Sequence, residues 1–413
     1  MPPLLTLLAD RFRHTAKWLL LGGLVGVFSG SASALFLVLL AQATAAFAAA
    51  PPLIFALPAA GFAVGWLYWR YGGAASQGNN LVIEEVHAQK QRVPFRMAPF
   101  VLIGTVLTHL FGGSAGREGT AIQMGASLAD TVRRILDLAP ADRRFMLMAG
   151  ISGGFASVFG TPVAGFVFGM EVQAVGRVRY EGALPCLIAA LVGDLTTRAW
   201  GVGHSHYPKL AAWDIEPLLL VKVALGGIAF GLAALLFVSL IHAIKHHLQE
   251  RIAWSPLRPV IGGLILIAMT LLVGTTDYNG LGLPLIQSSV AGQGVFPLAF
   301  LLKIVFTAVT LGSGFLGGEV TPLFCIGAAL GSTVGAALGV DPGLMASVGF
   351  VAVFAGASNT PLACALMGIE LFGGGAALYL LVGCVVAYLI SGERGIYAAQ
   401  RLDTPKWTPL NPR

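Results

Sequence analysis

The chain has 413 residues, 56% of them hydrophobic and only 11% charged, with a mean hydropathy of +0.81. A soluble domain carries about 25% charged residues, so the composition excludes that class and points to an all-α polytopic membrane protein. The net charge of +6 does not mark a nucleic-acid partner, because the basic residues form short clusters between apolar runs.

In chain order, MPPLLTLLADRFRHTAKW lacks a cleavable-signal pattern and places Arg11, Arg13 and Lys17 before the first apolar run. Long runs are predicted near 17–48, 52–70, 97–113, 180–200, 215–243, 257–274, 296–312 and 373–391. Shorter apolar segments, broken by Gly and Pro, fall at 117–130, 146–159, 161–172, 319–337, 345–356 and 361–371. Broken helices survive at membrane depth only when buried in protein or lining a cavity, and pairs of them mark transport sites. Arg133, Arg134, Arg143 and Arg144 share one connection, and Lys245 and Arg251 lie in another. By the positive-inside bias this puts both chain ends in the cytoplasm, and the inner (plasma) membrane is the expected location. The tail RLDTPKWTPLNPR is too short for a domain, so one transmembrane domain over 1–413 is expected, with no cytoplasmic regulatory domain. Cys186, Cys325, Cys364 and Cys384 all sit in apolar runs without metal spacing. They read as buried thiols, and no cofactor or metal is expected.

Gly78-Asn79-Asn80-Leu81 reads either as a loop, Asn being a common turn residue, or as two amides aimed into a polar site. The next motif is GSAGREGT at 113–120. Glycine-rich chain entering a helix presents unpaired N–H groups to an anion. Glu118 is then either a first-turn acid complementing the helix dipole, or a built-in anion that occupies the site and leaves when protonated. A carboxylate at hydrocarbon depth costs about 2.5–3.5 kcal/mol, so it needs a partner, a watery cavity or a function. Gly150-Ile151-Ser152-Gly153 resembles the G-x-S-G of an intramembrane serine hydrolase, with His109 or His242 as nominal bases. Four-residue matches are cheap in a chain with 54 glycines. A phosphate loop is excluded, since GSAGREGT lacks the Gly-Lys-Ser/Thr ending.

Two stretches repeat. FGTPVAGFVFGME at 159–171 aligns with SNTPLACALMGIE at 358–370 at an offset of 199, and Glu118-Gly119-Thr120 aligns with Glu319-Val320-Thr321 at 201. GASL at 125–128 matches GAAL at 327–330. The same order at nearly the same offset indicates an internal repeat, with halves near 52–200 and 215–391. In the second half GGEVTP at 317–322 supplies the matching helix start, with Pro322 suited to a first turn. Glu319 is either a cap or a titratable partner beside the anion. Tyr397, in GERGIYAAQ after the last run, is either an interfacial anchor or a phenol donor aimed at an ion.

With GREG at 116–119, GTPVAGFVFGME at 160–171, GFLGGEVTP at 314–322 and Tyr397 in order, the sequence resembles the CLC family of chloride channels and antiporters. The resemblance implies two inverted-topology repeats of broken, tilted helices and a homodimer with one anion path per protomer. Departures from the chloride members point within the family. Asn79 stands in the loop that usually reads Gly-Ser-Gly-Ile-Pro, Thr120 replaces a proline, and Glu319 and Thr321 occupy the Gly-x-Phe-x-Pro region. Val172 stands where chloride/proton antiporters carry an inner glutamate. These changes resemble the fluoride-selective bacterial branch, which exports fluoride in exchange for protons.

The carry-over implies Glu118 as gate and proton carrier, and Asn79 in place of the anion-binding serine. Asn80, Gly116, Arg117, Gly119, Thr120, Gly318, Glu319, Val320, Thr321 and Tyr397 would line the pathway. Fluoride is small, strongly hydrated and basic, so amide and hydroxyl donors and nearby carboxyl groups suit it. With the inner carboxylate gone, Glu118 is expected to swing inward past the anion site to collect its proton. A chloride/proton antiporter or passive anion channel on the same scaffold is the alternative.

Overall fold

The computed structural model describes residues 4–407 and contains sixteen α-helices over that range. Residues 1–3 and 408–413, the two ends expected in the cytoplasm, lie outside the described residues. The helices fall into two sets that match in order and length. In the first set α1 (Leu4–Ala49), α2 (Leu57–Tyr71), α3 (Asn79–Ala88) and α4 (Met97–Leu110) lead to α5 (Glu118–Ile135). Then come α6 (Asp142–Phe159), α7 (Pro162–Glu171) and α8 (Ala183–Ala199). The second set begins with α9 (Pro217–Arg251), α10 (Leu257–Val273), α11 (Leu283–Val290) and α12 (Ala299–Gly312). It ends with α13 (Val320–Leu338), α14 (Pro342–Ser358), α15 (Pro361–Phe372) and α16 (Ala377–Ile390). Helix α1 corresponds to α9, so the first structural half begins ahead of the expected start at residue 52.

The repeat is inverted, as the family resemblance implied and the alignment of the two stretches left open. Glu171, the last residue of α7, accepts the backbone N–H groups of Leu362 (3.1 Å) and Ala363 (2.8 Å) in the first turn of α15. Glu370, near the end of α15, accepts those of Val163 (2.9 Å) and Ala164 (2.8 Å) in the first turn of α7. Each helix thus ends where the other starts, and each acid caps amides that have no intrahelical partner. The repeated Glu at offset 199 is therefore a reciprocal latch that the sequence alignment contained without explaining.

Glycine sets the helix spacing in the same paired way. A Cβ on Gly125 would lie 2.3 Å from the Gly150 carbonyl oxygen, and one on Gly327 would lie 2.0 Å from that of Gly349. Helices α5 and α6, and likewise α13 and α14, touch backbone to backbone as membrane helices with small residues can. Aromatic stacking is paired within the halves, Phe155 on Phe168 at 4.2 Å and Phe324 on Phe350 at 4.0 Å between centroids, and Phe354 joins the two by stacking on Phe168 at 6.0 Å.

Among the described residues, five helical stretches are long and apolar enough to cross a membrane, including Leu8–Ala49 and Pro217–Arg251. Helix α7, with ten residues, spans only ~15 Å, half of a bilayer core. Two helices escaped the hydropathy reading. The NNLVIEEVHA of α3 carries two acids and a histidine, and α11 has only eight residues. The predicted run 215–243 continues as helix to Arg251, because the polar HHLQER keeps good helix formers beyond the apolar limit. A short parallel pairing of Ala174–Val175 with Arg401–Leu402 ties the C-terminal segment to the chain after α7.

Candidate functional site

Two approach loops meet at the centre. Gly116 and Gly318 form an antiparallel backbone bridge, with N–H to carbonyl distances of 2.6 and 2.8 Å. Helices α5 and α13 therefore start side by side, one from each half. A Cβ on Gly116 would lie 2.7 Å from Glu118 Oε2 and 2.8 Å from the Gly318 carbonyl, so this crossing admits only glycine.

Glu118 is fully buried in this junction. The Thr321 N–H donates to its Oε2 at 3.1 Å, the Arg117 N–H donates to the same oxygen at 3.1 Å, and the Thr321 hydroxyl donates to Oε1. The Arg117 guanidinium stands 4.0 Å from Oε1. The first-turn acid of α5 thus turns across to the Thr321 amide in the first turn of α13 rather than merely complementing its own dipole. Its carboxylate occupies the place where two helix N-termini would hold a small anion.

On one side of Glu118 lies a cavity of about 330 Å³, lined by Asn79, Asn80, Gln123, Lys245, Arg258, Glu319 and Tyr397 among others. Three of its polar atoms, Asn79 Oδ1, Glu319 Oε2 and Tyr397 Oη, are sheltered from solvent and have no hydrogen-bond partner in the protein. A Cβ on Gly119 would meet Asn79 Nδ2 at 2.9 Å and Glu319 Oε2 at 3.8 Å. Gly119 therefore brings the amide and the second carboxylate within reach of the backbone beside Glu118. On the other side, Arg117 stacks over Phe159 at 6.0 Å and its Nη2 lies 3.5 Å from Ser205 Oγ. Both Phe159 and Ser205 line a second cavity of about 510 Å³ with His204, His206, Tyr207 and Lys209. The Arg117–Glu118–Gly119 tripeptide separates the two cavities.

The predicted residues divide by what they touch. Glu118, Thr321, Gly116, Gly318 and Gly119 form the junction, and Val320 is buried in the first turn of α13. Asn79, Glu319 and Tyr397 face the first cavity. The loop reading of Gly78–Leu81 is half right: Gly78 has φ +58°, but α3 begins at Asn79. Asn80 also lines that cavity, yet its Oδ1 accepts the Ala399 N–H at 3.0 Å and so tethers the segment carrying Tyr397. Thr120 turns away, its hydroxyl paired with that of Thr105 on α4 at 2.7 Å. Tyr397 is 3% exposed and packs edge-on against Phe168, which removes the interfacial-anchor reading.

Sequence reading missed Gln123, Lys245 and Arg258 in the cavity wall. It also passed over Lys303, the lone charge in the predicted run 296–312, although an ionisable residue at membrane depth is a functional signal in itself. The hydrolase constellation does not assemble. Ser152 Oγ is buried without a partner, and a Cβ on Gly169 would lie 2.0 Å from it. His109 instead sets its two ring nitrogens against the Thr105 and Ala115 carbonyls at 2.8 and 3.0 Å.

Comparison with known proteins places this geometry. The family model described as voltage gated chloride channel matches residues 60–392. A relative from Pseudomonas syringae pv. tomato, named a chloride/fluoride channel protein, is 49% identical over 403 residues, covering 96% of this chain and 89% of its own. The crystal structure of a CLC-type fluoride/proton antiporter superposes with a TM-score of 0.91 at 34% identity, covering 94% of this chain and 98% of that one. A slow cyanobacterial Cl⁻/H⁺ antiporter shares the fold with a TM-score of 0.80 at 21% identity over 92% of this chain and 96% of that one.

Proposed function

We propose that this chain, which belongs to the voltage gated chloride channel family, is a proton-coupled antiporter that exports fluoride in exchange for protons. The observation that carries the reading is Glu118, a fully buried carboxylate held by the Thr321 amide and hydroxyl at the meeting of two helix starts. An anion of similar size and charge competes for those donors, and protonation releases the side chain from them. One residue can therefore gate the path and carry the proton.

Fluoride is the preferred substrate because the first cavity offers strong, small donors close together. The Asn79 amide, the Tyr397 hydroxyl and, when protonated, the Glu319 carboxyl can replace the hydration shell that fluoride gives up. The names of the two similar proteins described above, one a chloride/fluoride channel protein and one a fluoride/proton antiporter, support the same substrate class. Glu118, Thr321, Glu319, Asn79 and Tyr397 carry the anion and proton route; Asn80 and Thr120 position it from behind.

The protein sits in the inner membrane with both ends in the cytoplasm, as a homodimer with one pathway per protomer. The charge pattern supports this orientation. Lys17 pairs with Asp142 at 2.7 Å, joining two basic clusters at one face, while Gly160 at the other end of α6 lines the second cavity. The first cavity, with Lys245 and Arg258, then opens to the cytoplasm.

A chloride/proton antiporter or passive anion path is the second reading, favoured by the word "channel" in the relative's name. Liposomes loaded with equal fluoride and chloride separate the two. Ion-selective electrodes are expected to record fluoride release with at least about tenfold less chloride release, a difference of about 1.4 kcal/mol in barrier. Equal release of both ions would move the protein to the chloride side and remove the role given to Asn79.

A further inference from the structure

Lys303 on α12 is fully buried, at membrane depth, and has no carboxylate within ion-pair distance among the described residues. Such a charge is costly unless every donor is used. Here each is: Nζ donates to Ser114 Oγ at 3.0 Å, to the Tyr278 carbonyl at 3.1 Å and to the Gly280 carbonyl at 2.8 Å. An ammonium has three donors and no acceptor, so the site is complete for the charged form.

The three acceptors lie on two separate segments. Ser114 belongs to the loop running from α4 into Gly116 and Glu118. Tyr278 and Gly280 belong to the connection between α10 and α11. That connection grips the same loop again, through Asn279 Nδ2 on the Gly112 carbonyl at 2.7 Å and the Gly280 N–H on the Gly113 carbonyl at 3.1 Å. Helix α12 adds Thr310, whose hydroxyl accepts the Ser114 N–H at 3.1 Å, and Thr307, whose hydroxyl pairs with that of Ser114 at 2.9 Å. Past its end at Gly312, α12 feeds the chain to Gly318 and Glu319. The ammonium therefore joins the approach to α5 to the element that delivers the approach to α13.

From this geometry we propose that Lys303 is a positioning residue for transport: it fixes the loop before Glu118 to α12 and so holds the gate in register with Thr321. The proposal rests on the role given to Glu118 above. Fluoride and proton should be exchanged in a fixed ratio only while the gate carboxyl lies against its donors on α13. Without the ammonium the two approach loops lose their shared anchor, and anions slip past without a proton.

The test is Lys303→Met, which keeps the stem and removes all three donors, beside Ser114→Ala, which removes one acceptor and no charge. Both are reconstituted in liposomes, with fluoride release and internal pH followed together and the folded fraction measured by size exclusion. Misplacement of reacting groups by an ångström costs up to about a hundredfold in rate. Coupled exchange in Lys303→Met is expected to fall by roughly tenfold or more, with more fluoride moved per proton. Ser114→Ala is expected to change the ratio in the same direction by less. An unchanged ratio in a folded Lys303→Met protein, or a loss of flux matching the loss of folded protein, would overturn the proposal. If Lys303→Met does not fold, Ser114→Ala decides alone: a raised ratio supports the role and a wild-type ratio refutes it. Should the unmodified protein carry chloride instead, the same variants are read on chloride flux, so failure of the Lys303 role and failure of the fluoride reading remain distinguishable.

Discussion

Replacing Glu118 with Gln is expected to abolish fluoride-driven proton movement while leaving the protein folded. Gln matches the shape of the side chain, and its oxygen can still accept from the Thr321 N–H that now lies 3.1 Å from Oε2. The group is fully buried, and the isosteric amide is expected to keep its packing. The amide, however, carries no exchangeable charge. Without a charge it competes only weakly with an anion for the helix starts, and it cannot take up and release a proton between the two cavities. Proton transfer by a positioned side chain supplies about a hundredfold or more in rate, so proton flux should fall at least that far. Fluoride flux that persists becomes passive, following its own gradient alone. Liposomes with simultaneous fluoride and pH recording provide the measurement. Coupled turnover surviving in a folded Glu118→Gln protein would remove Glu118 from the mechanism.

The largest expected effect on stability lies at Arg143. This residue is 7% exposed and meets two carboxylates that are each 1% exposed. Its Nη1 donates to Glu85 Oε2 at 2.8 Å, its Nε to Asp130 Oδ1 at 2.8 Å, and its Nη2 to the Gln91 carbonyl at 2.5 Å. Asp130 also accepts the Val93 N–H at 3.0 Å. The network binds α3, which carries Asn79, and the α3–α4 connection to α5, which carries Glu118. Arg143→Met keeps the volume but leaves Glu85 and Asp130 facing each other without a cation. Breaking a buried pair by removing one partner costs about 3–5 kcal/mol. The neighbouring Arg144 pairs with Glu181, whose side chain is 40% exposed, and an exposed pair contributes only about 0–1 kcal/mol. Thermal unfolding in detergent should therefore show a clear loss for Arg143→Met and almost none for Arg144→Met. Equal melting of both variants would contradict the buried-network account.

Much of this architecture was legible in the sequence because the membrane makes apolar length and interruption informative. The short segments after Gly116 and after Gly318 were recognisable as paired helix starts, and the offset near 200 exposed the repeat. Its inversion was implied by the family resemblance but not by the alignment, since a repeated Glu says nothing of direction until Glu171 and Glu370 are seen capping each other's partner helix. Helix α3 was hidden because its Glu84, Glu85 and His87 erase the hydropathy signal, although Glu85 serves the Arg143 network. Side-chain direction was the other gap. Asn79 and Asn80 are adjacent and chemically equal in sequence. Only the turn of the helix sends one toward Gly119 and the other to the Ala399 amide. Thr120 likewise shares a motif with Glu118 yet points at Thr105.

One buried carboxylate is proposed to couple an outward fluoride flow to inward proton movement. The most direct measurement loads liposomes containing the purified protein with fluoride, at equal pH on both sides, and follows the internal pH as fluoride leaves. The interior should acidify against the developing proton gradient, in a fixed proportion to fluoride lost, and the acidification should be blocked in Glu118→Gln. Fluoride loss with no uphill proton movement would make the protein a passive anion path and contradict this coupling.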